Sequence, residues 1–113
     1  ICIMADFGNG PYAWLRAPDR RPPYVGSNIA DALVGFSGQV SVSAGLEHEL
    51  SNWVTEFEKG YNNDDFEWES WNKVGIGLAK RLNAEVGDQF AIEYHYPCED
   101  PQNKGIILNL TKR

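Results

Sequence analysis

The sequence predicts an α+β fold: a mostly antiparallel sheet of about four strands, in the order ββαααββ, with three helices packed on it. Three observations carry this expectation. Alternating apolar residues open and close the chain, helical periodicity fills its middle, and dense turn signals separate the two patterns. With 113 residues, 42% of them apolar and including 4 Trp, 5 Tyr and 5 Phe, the chain can bury one core without help from disulfides or a metal. A single domain over residues 1–113 is therefore expected.

Ile1, Ile3, Ala5 and Phe7 alternate with Cys2, Met4 and Asp6, and because both sets are mostly apolar the segment reads as a central strand covered on both faces. Gly8-Asn9-Gly10-Pro11 is a turn signal, and Tyr12, Trp14 and Arg16 then alternate with Ala13 and Leu15, so a hairpin is the simplest account. The stretch from Ala17 to Tyr24 holds three prolines and adjacent arginines, which predicts an exposed, extended loop. Ser27 or Asn28 can cap a first helix in which Ile29, Leu33 and Phe36 recur at helical spacing, with Gly38 ending it.

A second helix is predicted from Ser43, with Leu46, Leu50, Trp53, Val54 and Phe57 on one face and Glu47, Glu49, Asn52, Glu56 and Glu58 on the other. Asp64 and Glu67 have the spacing of a capping box for a third helix, whose apolar stripe is Trp68, Trp71, Val74, Leu78, Leu82 and Val86 and whose stop is Gly87. Gly75 and Gly77 fall inside it, where each costs up to about 1 kcal/mol relative to Ala, and close packing is the expected reason. Strand character returns with Phe90, Ile92, Tyr94 and Tyr96, then with Ile106, Leu108 and Leu110 beyond a turn-rich segment.

Sixteen acidic against ten basic residues give a net charge of −6, which repels phosphate backbones and anionic membranes, so neither nucleic acid nor membrane is an expected partner. No stretch is apolar and long enough for a membrane span, and the first residues carry no basic segment followed by an apolar core. Cys2 and Cys98 form no disulfide framework; a reduced pair is favoured over a single bridge. No metal or other cofactor is expected, since His48 and His95 lack ligands at metal-site spacing. Gly8-Asn9-Gly10 is no phosphate loop, because Pro11 has no N–H to offer an anion.

The densest chemical signal is a charge run. From Gly45 to Ser70 eight carboxylates face only Lys59, a net of −7 in 26 residues, with Tyr61, Phe66 and tryptophans interleaved. Aromatics among charges suit a protein-binding surface, and acidity suits a basic partner; an ordinary solvated helix face is the competing reading. The candidate partner-binding residues are Glu56, Glu58, Tyr61, Asp64, Asp65, Phe66, Glu67 and Glu69, with no catalytic residue among them. A rival reading places a small enzyme or ligand pocket near Asp6, Trp14, Glu93 and His95, where His95 and Glu93 on one strand face could move a proton.

The segments Gly8-Asn9-Gly10-Pro11-Tyr12-Ala13-Trp14-Leu15, Ser27-Asn28-Ile29-Ala30-Asp31-Ala32-Leu33, Phe66-Glu67-Trp68-Glu69 and Glu99-Asp100-Pro101 resemble bacterial immunity proteins of contact-dependent growth inhibition systems, over nearly the full length. The resemblance implies a non-enzymatic, cytoplasmic protein, expected as a monomer when free, that neutralises a cognate toxin domain, commonly a nuclease. A nuclease needs a basic cleft for its substrate, and an acidic inhibitor can cover such a cleft. No individual contact residue is carried over by the resemblance.

Overall fold

Among the described residues, two helices and a six-stranded mixed sheet form the fold, so the expected third helix and four-stranded sheet are both corrected. The computed structural model describes residues 1–8, 10–15, 28–36, 40–103 and 106–110. In chain order the elements are β1 (Cys2–Ile3), β2 (Pro11–Trp14), β3 (Asn28–Asp31), β4 (Gly35–Phe36), α1 (Ala44–Gly60), α2 (Trp68–Val86), β5 (Glu93–His95) and β6 (Ile107–Asn109). The proline-rich stretch from Ala17 to Tyr24, the cap residue Ser27 and the stop residue Gly38 lie outside the described residues.

The sheet order is β4-β3-β2-β1-β5-β6. β1 is central, as its two-sided apolar pattern implies: it runs antiparallel to β2 and parallel to β5, and Cys2 and Ile3 are fully buried. A parallel pair needs a long crossover, and the helices supply it between β4 and β5. That crossover also explains why the sheet is mixed, which the alternating pattern of each strand could not reveal.

The segment expected as the first helix is instead the β3–β4 hairpin. Its periodicity of Ile29, Leu33 and Phe36 is overridden by side-chain chemistry in the turn. The Asp31 carboxylate accepts the backbone N–H groups of Leu33 at 3.0 Å and Val34 at 2.9 Å, and Asn28 accepts that of Ala30 at 2.9 Å. Asn and Asp compete with helix hydrogen bonding in this way. Gly35 then adopts φ 66°, a left-handed backbone that few residues other than glycine accept. Leu33 and Val34 are left 71% and 69% exposed at the tip, and Phe36 donates its N–H to Glu47 at 2.7 Å, tying β4 to α1.

α1 begins as its sequence implies, with the Ser43 hydroxyl accepting from Leu46 N–H. The same serine donates its hydroxyl to Glu85 at 2.8 Å, so the end of α2 clamps the start of α1. The expected face of Leu46, Leu50, Trp53, Val54 and Phe57 is buried throughout. The Asp64–Glu67 capping box does not form: α2 starts at Trp68, with Glu67 in the capping position and no side-chain bond there. Asn63 turns the loop instead, accepting Asp65 N–H at 2.9 Å, while Phe66 packs on Trp68 with ring centres 4.6 Å apart.

Trp53 and Trp71 lock the two helices together. Their rings stack at 4.4 Å and 8°, and each indole N–H donates to the other's backbone carbonyl, at 3.1 Å and 2.9 Å. Gly75 makes the stack possible, since a Cβ there would lie 2.6 Å from the Trp53 ring. Gly77 has no such role: a Cβ there would meet nothing within 4 Å, so the packing expected for both glycines holds for one. Val74, expected in the core stripe, is 54% exposed, because Asn72, Gly75 and Ala79 complete the buried face and turn Val74 to its edge.

Candidate partner-binding face

Four of the eight expected contact residues line one groove. Glu56 of α1 and Asp65, Phe66 and Glu67 of the interhelical loop surround a cleft of about 390 Å³, floored by Trp71 and Val74. A second cleft of about 220 Å³ shares Glu56 and Val74 with the first and adds Glu49 and Asn52. Together they form a furrow along the α1–α2 seam, apolar at its floor and acidic at its rim. The helix pair positions it: the tryptophan stack fixes the spacing of the seam, and the Asn63 turn places Asp65 and Phe66 at its end. Arg81 pairs with Glu49 and offsets part of the negative charge at the far end.

The other four residues lie elsewhere. Glu58 lies beside Gly10, where a Cβ would come within 3.7 Å of its carboxylate, and Tyr61 packs on Phe7 with ring centres 4.6 Å apart. Asp64 is exposed in the loop and lines neither cleft. Glu69 borders a different groove, on the other flank of α2 with Lys73. Reading the sequence alone overlooked Glu49, Asn52, Ser70 and Val74; a helical wheel centred on the seam, instead of a count of charges, could have found them.

The rival pocket is assembled only in part. Asp6 and His95 line a cleft of about 190 Å³ with Met4, Pro97, Cys98 and Glu99, but Glu93 and Trp14 are not among its walls. Trp14 uses its indole N–H on the Met4 carbonyl at 3.0 Å. The two cysteines are unbridged, Cys2 buried and Cys98 exposed. Among the described residues no group of three or more His, Cys, Asp or Glu is placed to hold a metal ion.

A family model described as Serratia CdiI immunity protein-like matches residues 1–97. The chain belongs to this family. No curated protein and no solved structure gives a match. Membership makes the chain an immunity protein of contact-dependent growth inhibition, a toxin inhibitor, in agreement with the resemblance of its turn and helix segments. The matched stretch contains α1, α2 and all eight expected contact residues of the immunity protein, whereas β6 and the loop before it lie beyond the match. Among the described residues no helix is long and apolar enough to cross a membrane.

Two buried phenols mark the sheet beneath the helices. Burial pushes Tyr12 up to about 12, with the Ser51 hydroxyl acting against the shift and Glu47 adding to it. Burial likewise drives Tyr94 far above the usual tyrosine range, helped by Tyr96 and Asp100. Both are therefore neutral at physiological pH, and Tyr94 gives its O–H to Asn72 at 2.6 Å.

Proposed function

We propose that this immunity protein neutralises its cognate toxin domain by seating a basic surface of the toxin along the α1–α2 furrow. The observation that carries the reading is the coincidence of an apolar floor, exposed Val74 beside the buried Trp71, with a rim of Glu49, Glu56, Asp65 and Glu67. Desolvated apolar anchors supply affinity, and the surrounding carboxylates steer and orient a cationic partner. A nuclease fits best as the target, because its substrate cleft must be basic to bind phosphate. Blocking then needs no chemistry from the inhibitor, only occupancy.

The test is calorimetric titration of the toxin domain that co-purifies with the chain, at low and moderate salt. Reversing Glu56, Asp65 and Glu67 together to Lys should weaken binding about 100-fold, roughly 2.7 kcal/mol, and remove most of its salt dependence. Unchanged affinity in a variant with a wild-type melting profile would sink the proposal. The same reversal at Glu58 and Glu69, off the furrow, should leave affinity within about threefold.

A further inference from the structure

The other flank of α2 carries a groove of about 770 Å³, between the helix and the segment after β5. Lys73, Ile76, Gly77 and Lys80 line it from the helix, Tyr96 and Gln102 from the opposite wall, and Glu69 stands at one end. Gly77 is the first reason to assign it an occupant. A mid-helix glycine weakens the helix, and here a side chain would meet no atom within 4 Å, so nothing inside the fold requires it. What glycine provides at such a position is close approach of something external to the helix backbone.

The second reason is that the opposite wall is held in place. Asp100, fully buried, accepts from Asn72 at 2.8 Å, from Asn103 at 3.1 Å and from the backbone N–H of Gln102 at 2.9 Å. A wall fixed before binding spares the ordering entropy that a loose loop would lose. The third is charge. Lys73 and Lys80, seven residues apart and so roughly 10 Å along the axis, flank the glycine in a chain whose net charge is −6. Neither is ion-paired with a described residue.

We infer that this groove binds an extended acidic peptide segment of a protein partner, its carboxylates on Lys73 and Lys80 and its backbone lying over Gly77. A polyproline II segment rises about 3.1 Å per residue and returns to the same face every third residue, so carboxylates three residues apart, roughly 9 Å, match the spacing of the lysines. Ile76 and Tyr96 offer apolar contact between them. Ile76 and Tyr96 between the lysines favour a peptide over a polyphosphate, which has no apolar group to set against them. The groove is separate from the furrow and stands whether or not the furrow binds a toxin.

The experiment is an NMR titration of the full isotope-labelled chain with acetyl-Glu-Val-Thr-Glu-Val-Thr-amide, its Gln-for-Glu counterpart and tripolyphosphate, each to millimolar concentration. The acidic peptide should give saturable shifts at the amides of Lys73, Gly77, Lys80 and Gln102, and the neutral peptide should not. Gly77→Leu and, separately, Lys73→Glu with Lys80→Glu should each weaken binding by about tenfold or more. Gly77→Leu should at the same time raise Tm by about 2–6 °C, which excludes misfolding as the cause. The inference is overturned by no saturable shift, by binding that survives Gly77→Leu, or by tripolyphosphate binding the groove more tightly than the peptide.

Discussion

The two flanks of α2 are built from one helix yet have opposite character. Toward α1 lie Glu67, Ser70, Trp71 and Val74, with Glu56 across the seam; toward the C-terminal loop lie Lys73, Ile76, Gly77 and Lys80. Residues three, four and seven apart share a flank, so a single helical segment can gather its lysines on one side, with Glu69 at the end of their groove, and leave the other side to acids. The glycines follow the same division. Gly75 is filled by the Trp53 ring and is required by the fold, whereas Gly77 is open and is not. Net charge describes neither surface, since −6 for the chain averages over both.

The most severe way to break this contrast is to remove the wedge that fixes the acidic flank. Trp71→Ala deletes half of a buried stack and the indole N–H that bonds Trp53, and should cost about 3–5 kcal/mol by urea denaturation, with loss of the furrow. Next in size is the furrow reversal of Glu56, Asp65 and Glu67, expected to reduce toxin affinity about 100-fold while leaving stability within about 0.5 kcal/mol. An affinity loss matched by a stability loss would mean that the acids serve the fold.

The buried phenols predict alkaline behaviour. Because Tyr12 titrates near 12 in the folded chain against 10.0 unfolded, its contribution is complete below pH 10 and is lost as pH rises from 10 towards 12. Tyr94, shifted in the same direction, loses its contribution from pH 10 upward as well. Each should add about 1.4 kcal/mol per pH unit to the fall in stability, and Tyr12→Phe should halve the slope measured by urea midpoints between pH 10 and 11.5. The smallest effect is on the open glycine: Gly77→Ala should stabilise the chain by about 0.5–1 kcal/mol, while Gly75→Ala, which strikes Trp53, should destabilise it. Equal responses at the two glycines would end the contrast between the flanks.

Where sequence and structure part, the cause is specific. At Asn28–Phe36 an apolar spacing suited to a helix was outweighed by two Asx-type side chains and a left-handed glycine, signals present in the sequence as Asn28, Asp31 and Gly35. The Asp64–Glu67 spacing matched a capping box but lost to aromatic packing of Phe66 on Trp68. Among the eight expected contact residues, charge density alone was legible. It could not say that Glu58 turns to Gly10 and Glu69 to the lysine flank, because that depends on which face of each helix the sheet and the tryptophan stack consume.

By itself the sequence determined the two long amphipathic helices, the central position of β1 and the resemblance to immunity proteins, since periodicity and local motifs are properties of neighbouring residues. Tertiary structure alone decided the parallel pairing of β1 with β5, the burial of Asp100 and the division of α2 into two flanks. Each brings together residues far apart in the chain, and which pairs meet is fixed by how the whole core closes, not by any local preference.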